Sequence, residues 1–192
     1  MNKGKKPFAL LAGMAAVALC AGCSIKEDRS LCPCSLVLDF SGVAVDVVES
    51  SEVYVNAADG FLYCDAEAAQ SIFTEEFSGE VRQIYKVDVP KTKVSVSVVS
   101  GHGHFYSQGR GISIPLGEQC PPVYMHYSEM DAAVEKYEET VFLHKDYCEI
   151  TVKMLASSGE YPFDLTVKGN INGFATDRTV VPGDFSYTFV PD

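Results

Sequence analysis

Lys93-Val94-Ser95-Val96-Ser97-Val98-Val99 is the stretch that decides the fold. Val94, Val96 and Val98 fall on one side of an extended chain, with Lys93, Ser95 and Ser97 on the other. Successive strand side chains point to opposite faces, so this period of two describes a half-buried strand. The same period recurs on both sides of it. Towards the N-terminus, Tyr85, Val87 and Val89 alternate with Lys86 and Asp88 and stop at Pro90. Val53 and Val55 alternate with Tyr54 and Asn56, and Leu36, Leu38 and Phe40 share a face opposite Val37 and Asp39. Ala58-Asp59-Gly60 interrupts one run before Phe61-Leu62-Tyr63 resumes it, which predicts a hairpin. One short helix is expected, capped by Asp65 and running through Ala66, Ala68, Ala69 and Ile72 to Phe73.

Towards the C-terminus the alternation returns in Val141 and Leu143, in Ile150, Val152 and Met154, and in Phe163, Leu165 and Val167. It returns once more in Phe185, Tyr187 and Phe189, behind Pro182-Gly183. Ser128-Glu129-Met130-Asp131 reads as a polar cap for a helical turn, and Glu135-Lys136-Tyr137-Glu138-Glu139 as a charged joint, so a domain boundary is expected near 136. Many short strands separated by turns, with little helix, predict an all-β chain built of β-sandwiches.

The N-terminus carries a different signal. Lys3, Lys5 and Lys6 precede an apolar run that ends at Ala21-Gly22-Cys23. A positive start, a short apolar middle and a small-residue exit describe a secretory signal peptide. About 14 apolar residues are too few for a comfortable bilayer span, which needs roughly 20. Leu19-Cys20-Ala21-Gly22-Cys23 resembles the bacterial lipobox, with Cys20 departing from the usual leucine. The resemblance implies cleavage before Cys23 and lipid on its sulfur, the only covalent group expected; no cofactor is. Two or three acyl chains would anchor the protein stably, because each buried methylene contributes about 0.8 kcal/mol. Lys26-Glu27-Asp28 resembles the signal that exports lipoproteins to the outer face of the outer membrane in Bacteroidetes-type bacteria. The expected location is therefore the cell outer membrane, lipid-anchored and surface-exposed.

Removing residues 1–22 leaves 12 basic against 26 acidic residues, a net charge of −14. So acidic a chain, without a basic cluster, is not built for nucleic acid or for anionic head groups. Tryptophan is absent, so the 10 tyrosines and 11 phenylalanines supply the aromatic core. Five cysteines remain after lipidation, Cys32, Cys34, Cys64, Cys120 and Cys148; all are candidates for disulfides in an exported protein. Cys32 and Cys34 are too close in sequence to bridge each other easily. No metal is expected: these five include no Cys-x-x-Cys pair, and His102, His104, His126 and His144 lack ligand-like spacing.

Cys23, Ile25-Lys26-Glu27-Asp28-Arg29-Ser30-Leu31-Cys32-Pro33 and the strand ending Leu38-Asp39-Phe40 together resemble the opening of the fimbrial anchor family typified by FimB. Val141-Phe142-Leu143-His144-Lys145, Glu149-Ile150-Thr151-Val152 and Gly169-Asn170-Ile171-Asn172-Gly173-Phe174 are similar to that family's second domain. The resemblance implies tandem transthyretin-like β-sandwiches, with residues 35–136 as the first and 137–192 as a second, apparently incomplete one. Residues 1–22 are then the signal peptide and 23–34 the lipidated tether. The tryptophan that the family often carries near the equivalent of Val99 is replaced here by Val99-Ser100-Gly101.

The resemblance further implies a non-enzymatic anchor or accessory subunit of a pilus, with a fimbrillin-type pilin as partner, joined by β-strand addition. No nucleophile elbow, zinc-protease helix or phosphate loop is present. Glu75-Glu76 and Glu138-Glu139 are adjacent carboxylates, but strand neighbours face opposite ways. The alternative is a surface lipoprotein module that binds glycan or host protein through exposed aromatics, for which Tyr106, Tyr124, Tyr127 and Phe174 are candidates.

Overall fold

The alternating valines and leucines assemble into two facing sheets, seen in a computed structural model that describes residues 32–58, 60–65, 68–77, 79–101, 111–153, 155 and 164–189. The strands are β1 (Cys34–Asp39), β2 (Ser51–Ala57), β3 (Gly60–Asp65), β4 (Phe73–Phe77), β5 (Glu80–Val89) and β6 (Lys93–Gly101). There follow β7 (Gly111–Ser113), β8 (Val123–Asp131), β9 (Lys136–Thr140), β10 (His144–Lys145), β11 (Leu165–Ala175) and β12 (Val180–Phe189). Two single-turn helices, α1 (Val45–Val48) and α2 (Ala68–Ser71), complete the described elements. None of these is long and apolar enough to cross a membrane.

One sheet has the order β4-β5-β1-β9 and the other β10-β8-β6-β2-β3. Between them lies a core of Leu36, Leu38, Phe40, Val53, Val55, Tyr85, Val89, Val94, Val96 and Val98. These are the faces that the alternation marks. The protein is all-β, as expected. The expected hairpin joins β2 to β3, with Ala57 opposite Gly60.

The expected helix through 65–73 shrinks to the four residues of α2, and β4 begins at Phe73. Asp65 ends β3 and accepts hydrogen bonds from the Tyr63 hydroxyl at 3.0 Å and the Tyr85 hydroxyl at 2.8 Å. Burial and these neighbours raise the Tyr85 hydroxyl well above its ordinary pKa. The polar stretch at 128–131 is no helix cap either. It belongs to β8, where Val96 faces Ser128 and Val98 faces His126 across the sheet. Polar His126 and Ser128 thus share the face of the core valines, which breaks the alternation that a strand would otherwise display.

The same groups correct the boundary at 136. The strand that starts there, β9, runs parallel to β1, with Leu36 opposite Tyr137 and Leu38 opposite Glu139. Val141, expected in the second domain, is buried in the first core. The charges that looked like a joint hold β9 in place. Arg82 of β5 donates to Asp39 at 2.6 Å and also bonds Glu138. Glu139 points the other way, across the sandwich, with its carboxylate 3.3 Å from His126 Nε2; this is ion-pair range rather than a well-formed hydrogen bond. His126 Nδ1 accepts from the Phe142 amide at 3.3 Å.

These carboxylates make stability sensitive to acid. Burial opposes ionisation of Asp39, but the Ser41 hydroxyl and amide and the Arg82 guanidinium outweigh it and hold the carboxyl below its ordinary value. Arg82, then Lys136, lower Glu138. His126 lowers Glu139 against the cost of burial, with Ser128 assisting. A carboxyl depressed in the folded state stabilises fully above its unfolded pKa, and that contribution disappears as pH falls through the folded value. The melting temperature should therefore hold steady down to about pH 5 and drop steeply below about pH 4. A flat profile through that window would contradict the clamp on β9.

Candidate functional site

After Lys145 the chain leaves the sandwich. The Asp146 amide still donates to the Val123 carbonyl at 2.9 Å, continuing the β10–β8 ladder by one step. Beyond it, residues 147–153 carry the alternation of a strand but belong to no strand among the described residues. Ile150 is 64% exposed, Val152 44% and Leu155 fully exposed.

The strands β11 and β12 form a long antiparallel ribbon, turned at 176–179. There the Asp177 side chain accepts from the Thr179 amide at 2.9 Å, and Arg178 takes a positive φ of 66°. Arg178 reaches back to grip both oxygens of Asp146, at 3.0 and 2.9 Å, fixing the ribbon's tip against the sandwich. A third strand, β7, pairs only with the tip half of β11, from Gly173 to Ala175. That pairing needs glycine twice. A Cβ on Gly173 would lie 2.1 Å from the Ile112 carbonyl oxygen, and one on Gly111 would lie 2.1 Å from that of Phe174. Phe174 near the tip and Phe185 farther along the ribbon pack against Tyr54, Val99, Ile112, Ile114, Val123 and Met125 on the outer face of the second sheet.

Away from the tip the ribbon has a polar side and an apolar side. Leu165 pairs with Phe189, Val167 with Tyr187 and Gly169 with Phe185, so their side chains share one face. Tyr187 and Phe189 stack with centroids 6.2 Å apart. On the other face Thr166 and Thr188 hydrogen-bond at 2.8 Å. Phe185 lies against Gly169, within ordinary contact distance of where a Cβ would stand. Leu165, Val167, Phe185, Tyr187 and Phe189 all remain partly exposed. Among the described residues nothing but β12 pairs with β11 between Leu165 and Ile171, and an added strand there would bond the edge through its main chain beside this half-buried apolar face.

No protein-family model and no curated protein matches the chain. Two solved structures are similar to it. One is a candidate polysaccharide-binding protein from Bacteroides thetaiotaomicron, 14% identical with a TM-score of 0.47, the match covering 82% of this chain and 65% of that one. The other is a fimbrial assembly protein from Parabacteroides distasonis, 13% identical with a TM-score of 0.37, covering 83% and 77%. The chain thus spans just under two thirds of the length of the first.

Cys23, Lys26, Glu27 and Asp28 lie outside the described residues, as do His102, His104 and Tyr106. Cys34 is buried in the core beside exposed Cys32, and Cys64 sits on β3 opposite Tyr54. Tyr124 meets Tyr147 edge-on at 5.5 Å, and their hydroxyls are 3.1 Å apart. Tyr127 donates to Glu129 at 2.8 Å, beside an open cavity of about 520 Å³ that Asn56, Lys93, Ser95 and Asp131 also line. The alternation of β12 is visible in the sequence, but the pairing of its aromatic stripe with Leu165 and Val167 into one half-buried apolar face is not. Their shared period of two was the available signal.

Proposed function

We propose that the protein is a lipid-anchored subunit of the cell outer membrane, exposed at the surface, that holds the base of a fimbria. Acyl chains on Cys23 fix it to the membrane, the sandwich acts as a rigid spacer, and a pilin of fimbrillin type adds a strand to the β11–β12 ribbon. The role is structural, without catalysis, metal or cofactor. What supports this reading is the half-buried apolar stripe of Leu165, Val167, Tyr187 and Phe189 beside a length of β11, Leu165 to Ile171, that pairs with no strand but β12 among the described residues. A soluble monomer seldom leaves a patterned strand edge unblunted, because it invites association. Mass spectrometry of the mature N-terminal peptide tests the anchor, with the Cys23 sulfur and amine expected to carry acyl chains. Cys23→Ala should release the protein from membranes together with its filaments. Filaments that stay cell-bound in that variant would count against the anchoring role.

A second reading has its own support in the open cavity at Tyr127. An aromatic ring amid amide, hydroxyl, ammonium and carboxylate groups is the chemistry of a saccharide subsite. Saccharide binding lost in Tyr127→Ala, with filament attachment intact, would favour a glycan-binding lipoprotein.

A further inference from the structure

We infer that Cys120 and Cys148 form a disulfide that staples the loop before β8 to the unpaired segment after β10. Both are thiols in this structure. They line the same cavity, of about 320 Å³, together with Ile114, Tyr147, Phe174 and Phe185. Register brings them there. His144 faces Met125, Lys145 faces Tyr124, and the Asp146 amide bonds the Val123 carbonyl. Cys148 lies two residues past that bond on one segment and Cys120 three residues before it on the other, both on the cavity that Phe174 and Phe185 also line. A disulfide needs Cβ atoms about 3.5–4.5 Å apart, so an adjustment of these two segments across their shared cavity joins the sulfurs.

The other cysteines are placed differently. Cys34 is enclosed in the sandwich core and Cys64 lies on β3, at the far edge of its sheet from β10. Burial, and then the neighbouring Cys148, push the Cys120 thiol up, which suits it to resolve rather than to initiate. Exposed Cys148, as thiolate, attacks a small-molecule or protein disulfide and expels one carrier thiolate. Cys120, as thiolate, then attacks the Cys148 sulfur and expels the second. Two protons leave the protein thiols, and the carrier disulfide takes up two electrons. The bond ties the base of the exposed segment, residues 147–153, to the cavity wall that Phe174 and Phe185 provide. It would hold that segment beside the ribbon.

In cells the step needs the oxidising compartment implied by export, so the chemistry is tested apart from the anchor. The full chain, purified reduced, is incubated with oxidised glutathione, alkylated and mapped without reduction. A peptide pair joining Cys120 to Cys148 should be the dominant internal disulfide and vanish on reduction. The oxidised wild type should melt roughly 4–12 °C above the reduced form, and Cys148→Ser should lose that difference. Free Cys120 and Cys148 after oxidation, or another dominant pairing, would overturn the inference whatever Cys23 carries. A correct link in vitro with free thiols in protein taken from cells would instead contradict export, leaving the pairing intact.

Discussion

Leu38→Ala should cost about 2–5 kcal/mol of unfolding free energy. Leu38 is fully buried on β1, the strand flanked by β5 on one side and β9 on the other. Truncation removes apolar contact area and leaves a void that the sandwich cannot fill, since β1 is tied on both edges. Domains of this kind keep only about 5–15 kcal/mol in all, so one such change consumes much of the margin. Urea unfolding should show a lower midpoint with an unchanged slope. Val181→Ala is the internal comparison. Its side chain is 39% exposed on the ribbon, and the change should stay within about 0.5 kcal/mol. Equal effects at the two sites would mean that the sandwich core is not what holds the molecule together.

The second large effect is expected at Gly173. The Cβ of Gly173→Ala would fall on the Ile112 carbonyl oxygen, a backbone atom fixed by β7. Neither strand can yield without giving up the Gly173–Ser113 pairing. Overpacking of this sort costs about 1–3 kcal/mol. Here the loss should concentrate on docking of the ribbon rather than on the sandwich. Hydrogen exchange reads the difference directly: amides of β11 and β12 should lose protection while those of β6 and β8 keep theirs. Uniform loss across all strands would show that the ribbon and the sandwich unfold as one unit.

The first sandwich was legible wherever one face is uniformly apolar. Val94, Val96 and Val98, and Leu36, Leu38 and Phe40, gave both strand and facing correctly because only core pressure acts on them. Legibility failed where polar groups are turned into the interior. His126 and Ser128 point inward to meet Glu139, so β8 resembled a polar cap, and the paired acids of β9 resembled a joint between domains. The turn α1 was also missed, since Val45, Val47 and Val48 are stiff residues with no helical preference. In the candidate site, the aromatic alternation of β12 was visible. Its pairing with Leu165 and Val167 was not, nor was the approach of Cys120 to Cys148, because both depend on registers set elsewhere in the fold.

A photocrosslinking residue at Tyr187, in the full chain displayed on its native cells, tests the central claim most directly. Thr188, on the opposite face of the same strand, serves as the control position. Irradiation should join the Tyr187 probe to a strand of a fimbrial subunit, and the Thr188 probe should give no such adduct. Adducts only with the protein's own residues or with a second copy of itself, or equal yields from both positions, would contradict strand addition at the β11–β12 ribbon.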